Sequence, residues 1–184
     1  MSGAEVQTKQ VLSETDIAHK IRRLAFEVLE GCASRSPLAF VGIHKRGVTL
    51  AEHVLKIAKA ERDDISFGTL DISLYRDDFD NLGDIPTLNG SEIDFDVEGA
   101  HVVLFDDVLF TGRTTRAAID ALMDYGRPAC IQLAVLVDRG NRELPFAATY
   151  IGHQLETTKE DYVRVLLKAA DDEDQGVFLA PKPE

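Results

Sequence analysis

The chain has 184 residues, of which 45% are hydrophobic and 28% are charged. This length and balance predict one folded domain with a sizeable core, and they exclude a disordered chain. The formal net charge of −12 disfavours broad, non-specific binding to nucleic acids, although it leaves room for a local basic patch.

The sequence also disfavours a membrane protein and a protein stabilised by disulfides. No apolar run approaches the ~20 residues that cross a bilayer, and residues 1–10 lack the apolar core of a signal peptide. The two cysteines, Cys32 and Cys130, lie far apart and form neither a disulfide framework nor a metal-ligand cluster. We therefore expect a cytoplasmic protein that contacts no membrane.

Helical and strand patterns alternate along the chain. The first predicted helix covers residues 12–30, with Ser13 as its N-cap and Ile17 and Ile21 on its apolar face. The later elements are a strand, a helix, two strands, a helix, a strand and two short strands, over residues 37–43, 48–60, 65–75, 100–105, 114–125, 130–137, 148–152 and 162–167. This alternation predicts an α/β fold with a central, mostly parallel sheet flanked by helices.

Two segments lack a regular pattern. Residues 76–96 are rich in acidic residues, contain Gly83 and Pro86, and are long for a connection inside a compact domain. We interpret them as a mobile loop over the site, with short strands at its stems. Residues 170–184 begin with an acidic run, which predicts a solvated C-terminal tail of a single domain covering residues 1–184.

The most informative segment is residues 101–115, HVVLFDDVLFTGRTT. An apolar strand leads into Asp106 and Asp107, then into a Thr- and Gly-rich turn, and then into a helix. Ligands of open α/β sheets bind beyond the carboxyl ends of the strands, where this turn lies. The free N–H groups of the helix start favour an anion, and Gly112 lets the backbone approach a phosphate. Further donors come from the side chains of Thr111, Arg113, Thr114 and Thr115.

The two adjacent carboxylates indicate what else the ligand carries. Asp106 and Asp107 would repel a phosphate alone, but they can accept hydrogen bonds from a vicinal diol. They can also help to place Mg²⁺, which prefers carboxylates together with substrate oxygens. A phosphorylated sugar with a metal-bound pyrophosphate fits both halves of the motif. The segment is not a Walker A loop, because the spacing differs and no lysine follows the glycine, and it does not have the Gly-x-Gly-x-x-Gly pattern of a dinucleotide-binding fingerprint.

A second junction between a strand and a helix carries two cations. Residues 43–47, IHKRG, follow the strand predicted over residues 37–43. Lys45 as a point charge and Arg46 as a planar fork could hold a pyrophosphate there, beside Gly47. An exposed basic turn is the alternative.

These motifs resemble those of a known enzyme family. The segment 106–115 resembles the phosphoribosyl pyrophosphate (PRPP) motif of the type I phosphoribosyltransferases. Three further segments resemble one branch, the PyrR family of pyrimidine operon attenuators and uracil phosphoribosyltransferases: residues 74–78, 121–128 and 132–145. The resemblance implies the type I phosphoribosyltransferase fold, with a small hood and a mobile loop over the site.

The resemblance also implies a reaction and roles for residues. Uracil and PRPP would give UMP and pyrophosphate, with Mg²⁺ carried by PRPP. Asp106 and Asp107 would hold the ribose hydroxyls and, through PRPP, the metal, while residues 111–115 would bind the 5′-phosphate. Arg76 would fold over PRPP with the loop and act with the two acids in catalysis. The candidates for the base-binding edge are Val137, Asp138, Arg139 and Val163, although core packing explains the two valines equally well.

The family also binds the pyr operon leader mRNA when it carries a uridine nucleotide, and it thereby favours transcription termination. The implied RNA contacts are Arg22, Arg23 and Arg142. Three positions depart from residues that the family often has on this surface: Phe26, Asn141 and His153. These departures and the negative charge make the RNA role weaker than the PRPP role. A transferase for another base, without an RNA role, and a nucleotide-sensing RNA regulator with little turnover stay open. A homodimer or homotetramer is expected from the resemblance.

Overall fold

A parallel sheet between helices organises the chain. The computed structural model describes residues 8–75, 90–168, 170–171 and 175–181. The elements in chain order are β1 (Lys9–Leu12), α1 (Glu14–Gly31), β2 (Leu38–Ile43), α2 (Arg46–Ala58), β3 (Ile65–Leu70), β4 (His101–Leu109), α3 (Arg113–Met123), β5 (Cys130–Asp138), β6 (Tyr150–Gln154), β7 (Asp161–Leu166) and β8 (Gly176–Pro181). The predicted α/β fold is confirmed.

The strand order defines a switch point. Five parallel strands stand in the order β3-β2-β4-β5-β6, so β2 and β4 are neighbours in the sheet although β3 lies between them in sequence. Leu38 of β2 pairs with Ile65 on one side and with His101 on the other. Because all strands run the same way, their carboxyl ends meet at one edge. The chain passes to opposite sides after β2 and β4, which opens a crevice at that edge.

Two apolar layers cover the sheet. On one face, α1 and α2 pack over Phe40 and Phe105, whose ring centroids lie 5.1 Å apart. On the other face, α3 packs over Val41 and Leu104. All four of these strand side chains are fully buried. Burying a side chain of this kind contributes about 1.5–3 kcal/mol, which explains why the central strands are continuous apolar runs.

The ends of the elements follow local hydrogen bonds. The predicted cap of α1 is confirmed, because the Asp16 N–H donates to Ser13 Oγ at 3.2 Å and the Ser13 N–H donates to Asp16 Oδ2 at 2.9 Å. Strand β3 ends at Leu70, short of the predicted residue 75. There the Ser73 N–H donates to Asp71 Oδ1 at 2.8 Å, which turns the chain.

A second sheet, here called the hood, differs from the sequence prediction. It contains three antiparallel strands in the order β1-β8-β7. The prediction of a solvated tail over residues 170–184 is therefore wrong for Gly176–Pro181, which form the central strand of the hood. The physical reason is that Val177 is fully buried, in the cluster that also contains side chains of α1 and α2. The hood itself matches the small hood expected for the fold.

Most of the predicted mobile loop, residues 76–89, lies outside the described residues. The described stem agrees with the expectation of short pairing there, because Thr69 and Glu92 exchange two backbone hydrogen bonds of 2.9 Å. Among the helices that the structure describes, none combines the length and the apolar character needed to cross a bilayer.

Candidate active site

The switch point between β2 and β4 forms a polar cleft. It has a volume of about 210 Å³ and is lined by His44, Lys45, Asp71, Ile72, Ser73, Asp106, Asp107, Val108 and Thr114. Ligands of sheets with this strand order bind at the switch point. The structure therefore brings together, in one cleft, residues from both of the strand-to-helix junctions that the sequence predicts to bind one ligand.

The two acids lie within β4, which runs to Leu109 and not only to the predicted residue 105. Asp106 is 8% exposed, and the Asp107 side chain is 21% exposed. The Asp107 N–H donates to Asp106 Oδ1 at 2.9 Å, and the Val108 N–H donates to Asp107 Oδ1 at 3.0 Å. Burial raises the pKa of the Asp107 carboxyl, while the hydrogen bond with Asp106 and the charge of Arg46 act against that rise. A hydroxyl donor or a cation in the cleft would favour the ionised form.

The turn before α3 presents donors to an anion. Gly112 precedes the helix with a φ of 92°, and a Cβ at this position would lie 3.1 Å from the Phe146 ring. Thr115 is 3% exposed, and its hydroxyl oxygen has no hydrogen-bond partner within the described part of the chain. An anion at the start of α3 would meet backbone N–H groups and the helix dipole, and it could also use this hydroxyl.

Arg113 makes a different contribution to this turn. Its Nε lies 3.1 Å and its Nη2 3.0 Å from Glu143 Oε2, so the guanidinium is directed to a carboxylate. The neighbouring Thr111 carbonyl accepts hydrogen bonds from the N–H groups of Glu143 and Leu144 at 3.0 and 2.9 Å. The side chain of Arg113 thus helps to attach the turn to the segment after β5. A contact of Arg113 with a 5′-phosphate stays a prediction.

The junction after β2 is tightly packed. Helix α2 begins at Arg46, two residues before the predicted start. The chain needs glycine at residue 47, because a Cβ on Gly47 would lie 2.3 Å from the Phe105 carbonyl oxygen. The start of α2 therefore touches the backbone of β4 just before the two acids. This contact fixes the predicted pyrophosphate loop, including the exposed Lys45, against the strand that carries Asp106.

Asp171 joins the site, and the sequence prediction missed it. Arg46 donates from Nε to Asp171 Oδ2 at 2.9 Å and from Nη2 to Asp171 Oδ1 at 2.8 Å. These hydrogen bonds lower the pKa of Asp171 and raise that of Arg46. A cleft of about 230 Å³ contains both residues together with Lys45 and Asp107. The signal that could have identified Asp171 is weak, because it stands in an acidic run that resembles a solvated tail.

The predicted base-binding edge lies at the end of β5 and on β7. Val137 is fully buried and Val163 is 7% exposed, and both pack in the core cluster below the hood. Asp138 accepts hydrogen bonds from the Gly140 N–H at 3.0 Å and from Arg142 Nη2 at 2.6 Å. These contacts give the three residues structural roles. Their contact with a base stays a prediction.

Arg139 has the most extensive structural role of the predicted base-binding set. The residue is 4% exposed, and its guanidinium carbon lies 4.0 Å from the centroid of the Phe110 ring. It donates to Thr157 Oγ1 at 3.1 Å and to the carbonyl oxygens of Thr158 and Asp161, both at 2.8 Å. Burial lowers the pKa of this arginine. The side chain therefore holds the loop before β7, and a base contact by Arg139 stays a prediction.

The three arginines predicted to contact RNA differ in their surroundings. Arg22 is exposed on α1. Arg23 pairs with Glu27 and donates to the carbonyl oxygens of Ile151 and Gly152 at 2.9 and 2.6 Å. Arg142 is directed inward, and its hydrogen bonds reach the carbonyl oxygens of Leu109, Phe110, Gly140 and Phe146. The guanidinium of Arg142 is therefore engaged in holding the turn after β5.

Two further predictions concern Arg76 and a bound metal ion. Arg76, predicted to reach the pyrophosphate, lies outside the described residues. In the described part of the chain, no group of three or more His, Cys, Asp or Glu side chains could hold a metal ion. A metal at the two acids would thus take its remaining ligands from a substrate or from water, as Mg²⁺ commonly does.

Comparisons with known proteins agree with this geometry. Residues 7–165 match the family model described as phosphoribosyl transferase domain. A bifunctional protein PyrR of Roseiflexus sp. (strain RS-1) is 46% identical over 172 residues, which cover 93% of this chain and 94% of that protein. The bifunctional protein PyrR of Deinococcus radiodurans is 46% identical over 165 residues, which cover 89% and 90%.

Solved structures show the same fold at lower identity. A hypoxanthine phosphoribosyl transferase of Trypanosoma cruzi matches with a TM-score of 0.72 and 18% identity, over 100% of this chain and 95% of that chain. At this level of identity, the likeness concerns the fold alone. The sequence relatives and the matched domain give the narrower assignment: the chain belongs to the PyrR family of phosphoribosyltransferases.

Proposed function

We propose that the chain transfers the phosphoribosyl group of PRPP to uracil, forming UMP and releasing pyrophosphate. The observation that carries this proposal is the cleft at the switch point, where Asp106 and Asp107 stand between the start of α3 and the junction after β2. Carboxylates accept hydrogen bonds from a ribose diol, and helix starts attract phosphates. Membership of the PyrR family supports uracil as the acceptor.

The reaction needs positioning and electrostatics and no covalent nucleophile. The bond between ribose C1 and the pyrophosphate oxygen breaks, and its electron pair leaves with pyrophosphate. A bond forms between that carbon and N1 of uracil, and the proton of N1 passes to solvent. Asp106 and Asp107 would stabilise the positive charge that develops on the ribose ring. Lys45 and Arg46 would stabilise the negative charge on the leaving group.

The donor set fits a magnesium ion that arrives with PRPP. Two adjacent carboxylates, Asp106 and Asp107, line the cleft, and substrate oxygens would complete the ligand shell. When bound, the ion would neutralise part of the pyrophosphate charge. Burial disfavours the ionised form of the Asp107 carboxyl and raises its pKa, and a cation in the cleft would act against that rise.

Three groups of residues complete the proposed site. Residues 111–115 would hold the 5′-phosphate through backbone N–H groups and hydroxyls. Arg76 would contact the pyrophosphate from the loop. The end of β5 would form the edge that meets the base, with contributions from Val137, Asp138, Arg139 and Val163.

A pyrophosphate-release assay with a panel of bases tests the proposal. The purified chain is supplied with PRPP, Mg²⁺ and one of uracil, cytosine, hypoxanthine, guanine or xanthine. We expect release with uracil above all, and loss of release when the metal is chelated. Release with a purine base and not with uracil would contradict the choice of acceptor. No release with any base, together with no PRPP binding in calorimetry, would contradict the transferase itself.

RNA binding is the second function that we propose, because the relatives are named bifunctional and Arg22 is exposed on α1. The ligand would be the leader mRNA of the chain's own pyr operon, bound more tightly with UMP, and binding would favour transcription termination. Filter binding across a salt series tests this, since affinity from phosphate contacts falls as salt rises. Arg22→Gln should weaken binding, whereas Arg127→Gln, at another exposed arginine, should not. Equal affinity with and without UMP would contradict the regulatory role.

We also propose a location and an assembly for the protein. A phosphorylated sugar as substrate and a nucleotide as product support a location in the cytoplasm. Exposed apolar side chains, including Met123 at 47% and Tyr125 at 45%, support assembly into a homodimer or homotetramer. Light scattering during size-exclusion chromatography measures the mass of the assembly. A particle with the mass of one chain at micromolar concentration would contradict the expected assembly.

A further inference from the structure

The segment after β7 reaches back to the junction after β2. Arg46 uses its Nε and Nη2 atoms for the two hydrogen bonds to Asp171, at 2.9 and 2.8 Å. The third nitrogen, Nη1, lies on the other side of the guanidinium, 3.9 Å from Asp107 Oδ2. The paired geometry therefore determines which edge of Arg46 is directed toward the acids of the cleft.

The Asp171 carboxylate is itself held in place. The Leu167 N–H donates to Asp171 Oδ2 at 2.9 Å, and the Asp171 side chain is only 14% exposed. Leu167 directly follows β7, so the backbone of the hood anchors the carboxylate. The hydrogen bonds from Arg46 hold the pKa of Asp171 below its usual value, so the carboxyl is ionised at neutral pH. Asp171 can thus act as a fixed, charged support.

We propose that Asp171 is a positioning residue, which holds the guanidinium of Arg46 so that its Nη1 edge meets the pyrophosphate of PRPP. This inference rests on the proposed phosphoribosyl transfer. An arginine on a flexible stem loses conformational freedom when it binds an anion, and a preformed ion pair removes that loss beforehand. Asp171 would not touch the substrate, and it would act only through Arg46.

If Asp171 hindered the binding of pyrophosphate, its removal would have the opposite effect. A carboxylate near a pyrophosphate site repels the ligand, and it could also keep Arg46 occupied. If that effect were dominant, removal of the Asp171 charge would tighten the binding of pyrophosphate. Two features favour positioning. The ion pair leaves Nη1 on the side of Asp107, and the tightly packed Gly47 fixes the backbone from which Arg46 extends.

The test compares Asp171→Asn with a matched control. The asparagine oxygen can still accept from the Leu167 N–H, but its amide nitrogen cannot accept from Arg46. The control is Asp64→Asn, because Asp64 also pairs with the Nε and Nη2 atoms of an arginine, Arg62. That pair lies between α2 and β3, at the end of the sheet opposite the cleft. Circular dichroism and the unfolding midpoint verify that each variant is folded.

Two measurements report on the proposed role. In pyrophosphate release with uracil, we expect Asp171→Asn to lower kcat/KM for PRPP about tenfold and to leave KM for uracil unchanged. In calorimetry with inorganic pyrophosphate, we expect a similar weakening. Asp64→Asn should match the wild type in both, and Asp171→Glu should recover part of the loss. Unchanged or tighter pyrophosphate binding by Asp171→Asn would overturn the proposal.

A double variant separates positioning from a general structural effect. If Asp171 acts only through Arg46, adding Asp171→Asn to Arg46→Gln should cause no further loss in kcat/KM for PRPP. Losses that multiply would overturn the proposal. If the wild type binds pyrophosphate but transfers no phosphoribosyl group to any base, the proposed transferase function fails. The calorimetric comparison would then still decide the role of Asp171.

Discussion

A substitution of Arg139 tests whether this side chain supports the loop at the predicted base-binding edge. Its buried guanidinium donates three hydrogen bonds to residues 157–161 and lies over the Phe110 ring. Methionine has a similar length and can keep the apolar contact with Phe110, but it carries no charge and no donors. The Arg139→Met variant therefore removes the hydrogen bonds while it leaves the volume nearly filled.

The size of the effect follows from the groups left without a donor. The carbonyl oxygens of Thr158 and Asp161 each lose a partly buried hydrogen bond of 2.8 Å, at a cost of about 1–3 kcal/mol for an acceptor left without a partner. The Thr157 hydroxyl still donates to the backbone carbonyl of residue 139 at 2.9 Å. Methionine carries no charge, so the cost of desolvating a buried cation disappears, and this offsets part of the lost stability. We expect the free energy of unfolding to fall by about 3 kcal/mol and the unfolding midpoint by about 10 °C.

Thermal unfolding followed by circular dichroism measures this change. Arg127→Met is the control, because the same substitution at an exposed arginine should change the midpoint by less than about 2 °C. The KM for uracil is measured beside it, at a temperature where both variants are folded. A wild-type midpoint for Arg139→Met would refute this reasoning, whatever the KM for uracil. It would show that the hydrogen bonds of Arg139 do not support the loop.

Three further predictions concern the PRPP end of the site. Asp107→Asn should keep the far-ultraviolet spectrum and lower turnover about 10²-fold, unlike Asp120→Asn at an exposed acid; wild-type turnover would remove Asp107 from the site. Gly47→Ala should raise KM for PRPP, because its Cβ would lie 2.3 Å from the Phe105 carbonyl oxygen and must displace the start of α2; an unchanged KM would contradict this. The lowered pKa of Asp171 means that its ion pair stabilises the fold fully above the unfolded pKa of about 3.9 and loses this contribution as pH falls through the folded value. Acid titration of unfolding should therefore be shallower for Asp171→Asn, and identical titrations would exclude this contribution.

The sequence predicted those parts of the fold in which consecutive residues of one segment are buried together. Strands β2, β4 and β5 each contain a continuous apolar run, at residues 38–43, 102–105 and 133–137, because both faces of these runs are covered by helices or by the hood. The phosphate turn is also local, since strand, acids, glycine and helix start follow one another within residues 101–115. Strands β1 and β8 gave no such signal. They are short, and they become strands only through distant pairing: β1 pairs with β8, at Lys9 with Leu179, and β8 also pairs with β7.

The same distinction between local and distant contacts explains why the sequence did not predict the roles of three arginines. The sequence places Arg46, Arg139 and Arg142 next to the predicted site. It does not show their distant partners, which include carbonyl oxygens 19 to 33 residues away for Arg139 and Arg142 and a carboxylate 125 residues away for Arg46. Because the chain carries a net charge of −12, an anionic substrate gains nothing from the overall field. Arg139 and Arg142 are engaged by the backbone. Among the described residues, the attraction for PRPP therefore comes from the start of α3, from Lys45 and from the one edge of Arg46 that Asp171 leaves directed toward the acids, and the proposed contact of Arg76 would add to it. The site thus depends on the orientation of a few donors and not on the amount of positive charge, which is the physical reason why a carboxylate can support an anion-binding arginine here.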